Sequence, residues 1–113
     1  MPDEAQTISI ADEFSQTPFG RYAKDGPEAG EVFREAVLKP ALEKGKVLLD
    51  IDGLVGLPSS FWEEVMGGLV RSGFPISDLK TLLEIRCTDP ELKTYVRSGW
   101  RYAEEASQKI RAH

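Results

Sequence analysis

The chain has 113 residues, 41% of them hydrophobic and 29% charged, enough for one globular core and incompatible with wholesale disorder. A net charge of −5 argues against a nucleic-acid-binding surface. The one cysteine, Cys87, excludes an intramolecular disulfide, and no segment approaches the ~20 apolar residues that span a bilayer.

The start, Met1-Pro2-Asp3-Glu4, is acidic and has no apolar run, so no signal peptide is expected and the cytoplasm is the expected compartment. Thr7-Ile8-Ser9-Ile10-Ala11 alternates polar and apolar residues and reads as a first strand, with Phe14 packing at its end. Residues 16–30 form a loop with Pro18, Gly20, Gly26, Pro27 and Gly30, and Arg21-Tyr22-Ala23 is its candidate second strand. A helix follows over about 28–39, with Val32, Phe33, Ala36 and Val37 on the core side and Glu31, Arg34 and Glu35 off it. Pro40 either kinks this helix or opens a short second segment that ends near Gly45.

Residues 46–51 are short and almost continuously apolar, which suits the central strand of a sheet. The next helix covers about 60–72. Trp62, Val65, Met66, Leu69 and Val70 make its apolar stripe, Glu63, Glu64 and Arg71 face away, and Gly73 closes it. The Gly67-Gly68 pair costs that helix about 1 kcal/mol per glycine relative to alanine, which points to another backbone passing close by. A helical turn at 77–80 precedes a strand over 82–88, where Cys87 reads as a small core hydrophobe. Asp89-Pro90-Glu91 then opens a last helix over about 90–112, whose packed face is Leu92, Val96, Gly99, Ala103, Ala106 and Ile110. The order β(β)αβα(α)βα gives one α/β or α+β domain over 1–113, with helices packed on a mixed four-stranded sheet.

Four groups carry possible chemistry. Ser60 to Glu63 fits the S-x-x-E capping box, while Ser59 and Ser60 at a helix start also suit phosphorylation or anion contact. Arg21 and Lys24 in the glycine-rich loop suit a phosphate cradle, although the G-K-[ST] ending of a P-loop is missing; the plainer alternative is a hairpin with Arg21 paired to an acid. Asp50, Asp52, Glu63 and Glu64 are a candidate carboxylate cluster, but without a histidine or lysine partner at recognisable spacing no metal or cofactor is expected. The sole histidine is the terminal His113, so nucleophilic catalysis has no credible base and no catalytic residue is assigned. On the last helix Trp100, with Tyr95, Arg97 and Arg101, offers either a partner surface or a ring lying over the sheet.

The runs Leu49-Asp50-Ile51-Asp52-Gly53, Ser59-Ser60-Phe61-Trp62-Glu63-Glu64 and Gly67-Gly68-Leu69-Val70-Arg71 resemble the STAS-like domain family of unknown function. So do Gly20-Arg21, Asp25-Gly26-Pro27 and Gly30-Glu31-Val32-Phe33-Arg34-Glu35 upstream, and the similarity covers about residues 7–90. That family is related to the STAS domains of anti-sigma-factor antagonists, in which a partner kinase of the histidine-kinase-like ATPase type phosphorylates a serine in an Asp-Ser-Ser-Gly turn. The resemblance implies Ser60 as the phosphoacceptor and Ser59 as its neighbour, with Pro58 where the acidic residue stands and Phe61 where the glycine stands.

The first functional expectation is a non-enzymatic regulatory module that docks a protein partner through the helix start at Ser59-Ser60 and the Gly20–Gly30 loop. The second is a binder of a phosphorylated small molecule or nucleotide that uses Arg21, Lys24, Asp50 and Asp52. The third is self-association, as a homodimer, through the Trp100 face or a sheet edge.

Overall fold

The computed structural model describes residues 5–112. The acidic start at 1–4 and the terminal histidine at 113 lie outside the described residues. Among those described, β1 (Gln6–Ser9), β2 (Val47–Asp50) and β3 (Leu83–Arg86) form a parallel sheet in the order β1-β2-β3. Ile8, Leu49 and Ile85 are register partners across it, as are Thr7, Leu48 and Glu84 one step away. The first row is buried, whereas Thr7 and Glu84 are exposed and Leu48 is half-buried. One face of the sheet therefore packs on helices and the other meets solvent, in keeping with the side-chain period of 2.

The expected four-stranded mixed sheet is corrected on both counts. Arg21-Tyr22-Ala23 is not a strand: Ala23–Asp25 is a 3-10 turn, and the Asp25 carboxylate accepts the N–H groups of Arg21 (3.2 Å) and Tyr22 (2.9 Å). An aspartate bonding backward to its own loop offers the backbone an alternative to a sheet ladder. The first strand is also shorter than expected. The Ser9 hydroxyl accepts from Asp12 N–H and starts α1 (Ile10–Glu13), so Ile10 and Ala11 lie in a helical turn.

The second helical region begins at Gly30 as α2 (Gly30–Phe33), passes through a π-helical turn (Arg34–Leu38) and continues as α3 (Lys39–Lys44). Pro40 sits in the first turn of α3, where a missing N–H and a fixed φ are tolerated, and Gly45 ends the segment. Its buried residues are Gly30, Phe33, Arg34, Leu38, Ala41 and Leu42; Ala36, expected inward, is exposed. The wide π turn changes the phase of the helix, so a uniform 3.6-residue stripe does not describe it. A side chain at Gly30 would run into the Phe61 carbonyl oxygen at 2.6 Å, which fixes how closely α2 approaches the next helix.

That helix, α4 (Ser59–Arg71), follows β2 through an eight-residue turn and carries the densest run of buried residues among those described. Then α5 (Ile76–Leu82) runs directly into β3, and α6 (Lys93–Arg111) follows a 3-10 turn at Pro90–Leu92. Asp89 caps that turn by accepting Glu91 N–H at 2.9 Å, as the Asp-Pro-Glu signal implies. The core holds Ile8, Leu49, Ile51, Phe61, Met66 and Leu69, all at most 2% exposed. Phe14 packs on Phe33 and Phe61 with ring centroids 5.1 and 6.2 Å away, closing the core below the β1 end. Cys87 lies just past β3, partly buried against the core, and burial pushes its thiol pKa up.

Candidate functional site

All three strands run the same way, so the loops that leave them share the C-terminal edge of the sheet, where α/β folds usually place their working residues. Two of these loops are stitched together. Val55 N–H donates to the Gln16 carbonyl at 3.0 Å, joining the turn after β2 to the loop after α1. Val55 and Phe19, on the joined segments, are 79% and 70% exposed, and Ser59 is exposed at the start of α4.

The capping box expected at Ser60 and Glu63 does not form. Pro58 is the N-cap of α4, no side chain caps the helix, and the third helical residue is Phe61. Starting at Ser59 moves Glu63 two positions too deep to reach back to the helix start. Its carboxylate instead takes Arg21 and, at 2.8 Å, Arg71. Burial pushes the Glu63 carboxyl up, but hydrogen bonds from Arg71 and Arg21 outweigh it, so its pKa falls below the ordinary value. Ser60 is half-buried one turn ahead of Glu63 and Glu64 on the same helix.

Glu64, expected to face away, is 7% exposed and meets Arg34, which is 8% exposed. Arg34 Nη1 donates to Glu64 Oε2 at 2.7 Å and to the Glu64 carbonyl at 2.8 Å, while its Nε donates to Glu35 at 3.0 Å. Burial opposes the charge on Arg34; the bonds to Glu64 and Glu35 outweigh it and hold its pKa above the ordinary value. Arg21 and Arg71 reach Glu64 Oε1 at 3.3 and 3.5 Å, so three arginines and two glutamates form one network between the π turn, α4 and the Arg21 loop. The glycine pair in α4 serves this network. A Cβ at Gly68 would strike the Arg34 guanidinium, and one at Gly67 the Glu63 and Arg71 side chains. Close side chains, not a passing backbone, are the reason for the two glycines.

The four candidate carboxylates do not gather. Asp50 Oδ1 accepts Asp52 N–H at 2.9 Å. Asp52 in turn accepts the backbone N–H groups of Thr88 at 2.9 Å and Asp89 at 3.1 Å, plus the Thr88 hydroxyl at 2.9 Å. Those backbone donors, Thr88 first, lower its pKa. Asp52 thus binds the turn after β2 to the turn after β3, Asp50 holds the Asp52 backbone, and Glu63 and Glu64 belong to the arginine network. Among the described residues, no group of three or more His, Cys, Asp or Glu is placed to hold a metal ion.

The Gly20–Gly30 loop closes on itself. Gly30 N–H donates to the Gly20 carbonyl at 3.0 Å and Glu31 N–H to the Arg21 carbonyl at 2.9 Å, so backbone oxygens occupy the start of α2. Lys24 extends over the Tyr22 ring, 5.9 Å from its centroid, and the Arg21 charge is held by Glu63. Beside this loop is an open cleft of about 480 Å³ lined by Arg21, Tyr22, Glu63, Arg71, Tyr102 and Lys109. Trp100 lies elsewhere, half-buried against the strand starts in a groove of about 600 Å³.

A family model described as a STAS-like domain of unknown function (DUF4325) matches residues 29–93, more than half of the chain. The chain belongs to this STAS-like family. No curated protein and no solved structure gives a match. The matched span of the STAS-like domain runs from the start of α2 to the start of α6. It contains Arg34, Asp50, Asp52, Ser59, Ser60, Glu63 and Glu64, and it leaves out Arg21, Lys24 and Trp100. Arg34 and Arg71 are the two members of the network that the sequence did not single out, and Arg34 is the buried one. Its signal is indirect: a charged residue next to buried Phe33, and a glycine in a facing helix with no turn to explain it.

Proposed function

We propose that this STAS-like domain is a non-enzymatic regulatory module that docks a protein partner at the C-terminal edge of its sheet. The observation that carries this reading is the stitched loop pair, which holds Val55 and Phe19 out in solvent next to the exposed start of α4. Large apolar side chains presented on tied-down loops suit a recognition surface, because little conformational entropy remains to be lost on binding. The charged groups nearby are engaged with one another or with backbone N–H groups, which favours a structural role for them over proton transfer.

Within this reading Ser60 is the phosphoacceptor that switches docking, Ser59 is its more accessible neighbour, and the partner is a kinase of the histidine-kinase-like ATPase type. A phosphate adds about −1.5 to −2 charges, which the start of α4 tolerates and Glu63 and Glu64 oppose, so the modified state differs electrostatically from the free one. The test is phosphoproteomics of cells that make the tagged chain, combined with affinity capture by wild type, Ser60→Ala, Ser60→Glu and Val55→Asp. Partner recovery should fall for Val55→Asp and differ between the two Ser60 variants. Equal recovery by Ser60→Ala and Ser60→Glu sinks the switch, and undiminished recovery by Val55→Asp sinks the surface.

The cleft beside the Arg21 loop favours a second reading, binding of a phosphorylated small molecule or nucleotide. Lys109 supplies a cation and Tyr22 and Tyr102 supply rings, while Arg21 and Arg71 would have to be shared with Glu63 and Glu64. Thermal shift with a nucleotide panel, with and without magnesium, checks it. A flat melting temperature across the panel removes this reading.

A further inference from the structure

The two edges of the parallel sheet carry opposite charge. The segments that leave the strands (10–30, 51–58 and 87–92) hold seven Asp and Glu against two Lys and Arg. The segments that enter β2 and β3 (39–46 and 72–82) hold four Lys and Arg against two Asp and Glu. The acidic edge displays the apolar knobs Val55 and Phe19. The basic edge carries an open groove of about 600 Å³ with Leu48, Leu82 and Trp100 on its walls and Lys46 and Lys80 beside it. Glu84 also lines this groove, and Lys80 bonds Glu104 at 3.0 Å, so Lys46 is its least encumbered cation.

We propose that the chain self-associates head to tail, the Val55–Phe19 knob of one copy seating in the Trp100 groove of the next. The occupant is a second copy because both halves of the contact, apolar knob in acidic surroundings and apolar groove in basic ones, are present on every molecule. They lie at opposite edges of the sheet, so the contact is heterologous. Each bound copy leaves one free knob and one free groove, and growth continues unless the rotation closes a ring. The inference uses the loop surface of the docking reading and does not depend on Ser60, a kinase or any other protein.

The test uses the purified full chain alone, followed by sedimentation velocity and light scattering over a concentration series. Wild type should form species larger than two chains, and raising salt beyond the range where the Debye length is ~10 Å should weaken them. Val55→Asp removes the knob and Lys46→Glu the groove; both positions are exposed, and circular dichroism checks the folds. Phe19→Ser and Leu48→Glu are the second pair. Each variant alone should be monomeric, whereas a knob-defective and a groove-defective chain mixed together should give two-chain species and nothing larger, because each still offers one intact half. A monomeric wild type, a single variant that still associates, or a mixture that stays monomeric overturns the proposal. Failure here leaves partner capture by Val55 untouched, so the two readings are separable.

Discussion

Arg34 Nη1 bridges the Glu64 side chain and the Glu64 main chain, donating to Oε2 at 2.7 Å and to the carbonyl at 2.8 Å. One guanidinium nitrogen thereby fixes both the rotamer of Glu64 and the position of α4 against the π turn that carries Arg34. Both residues are buried, so removing one partner leaves a charge without its counter-ion. Arg34→Ala should lower unfolding free energy by about 3 kcal/mol, the low end for a broken buried pair because Arg21 and Arg71 still face Glu64 Oε1. Arg34→Met combined with Glu64→Met should cost less than Arg34→Ala alone, since it buries no unpaired charge. Urea titrations of the singles and the double give the coupling. An Arg34→Ala protein as stable as wild type would show that the pair is not buried in solution.

The elements that dictate their own structure were readable. The apolar run at 47–51 gives β2, the Trp62-to-Val70 stripe gives α4, and Asp89-Pro90-Glu91 gives the start of α6. Long-range electrostatics escaped. Arg34 and Glu64 are charged, and charge by itself reads as an outward position; only the juxtaposition of two helices buries them. The Ser60–Glu63 spacing is a valid capping pattern that failed by register, because Pro58 at the N-cap starts α4 two residues earlier than the pattern needs. Asp50, Asp52, Glu63 and Glu64 are near in sequence, yet Asp52 turns to the β3 turn, Asp50 to the Asp52 backbone, and the glutamates to the arginines. Arg21 met the plainer of its two expectations, pairing with an acid, though on α4 and not across a hairpin.

The two glycines of α4 should respond oppositely to alanine. At Gly68 a Cβ would lie within 3.0 Å of Arg34 Cζ and 3.1 Å of its Cδ, and that side chain is buried and pinned by Glu64. Gly68→Ala should destabilise by about 1–3 kcal/mol, outweighing the ~1 kcal/mol gain in helix propensity. At Gly67 the obstruction is the far end of Glu63 and Arg71, whose side chains are partly exposed and free to swing out. Gly67→Ala should therefore be near neutral or stabilising. Parallel denaturant curves settle it, and the reverse ranking would contradict the packing described.

Acid should loosen the loops before the core. Glu63 and Asp52 both have pKa values below their unfolded ones, Glu63 because Arg71 and Arg21 outweigh its burial and Asp52 because Thr88 and Asp89 N–H groups hold its charge. A carboxyl lowered on folding adds stability that is complete above the unfolded pKa and disappears as pH drops through the folded one. Stability should hold from neutral pH to about pH 4.3, near the ordinary glutamate value, and fall below it. Glu63→Gln and Asp52→Asn should each be less stable at neutral pH and show a shallower acid limb. A variant with the wild-type slope below that pH would show that its carboxylate is not among those responsible.

Trp62 and Gly99 are matched across the α4–α6 contact. The indole N–H donates to the Tyr95 carbonyl at 2.7 Å, and the ring lies so close to α6 that a Cβ at position 99 would sit 2.8 Å from Cζ2 and 2.9 Å from Nε1. Trp62 is 1% exposed, so the ring has nowhere to retreat. Gly99→Ala should cost about 1–3 kcal/mol by overpacking. Trp62→Phe should lose roughly 1 kcal/mol from the hydrogen bond, and more from the space it vacates. The informative measurement is the double variant. Phenylalanine has a single six-membered ring and lacks the indole edge made by Cζ2, Cε2 and Nε1, the atoms that obstruct a Cβ at 99, so Gly99→Ala should be much less harmful in the Trp62→Phe background. The combined loss should then be clearly smaller than the sum of the single losses. Strict additivity would mean that α6 shifts to accept the methyl group, and that the helix spacing is set elsewhere than by this ring on this glycine.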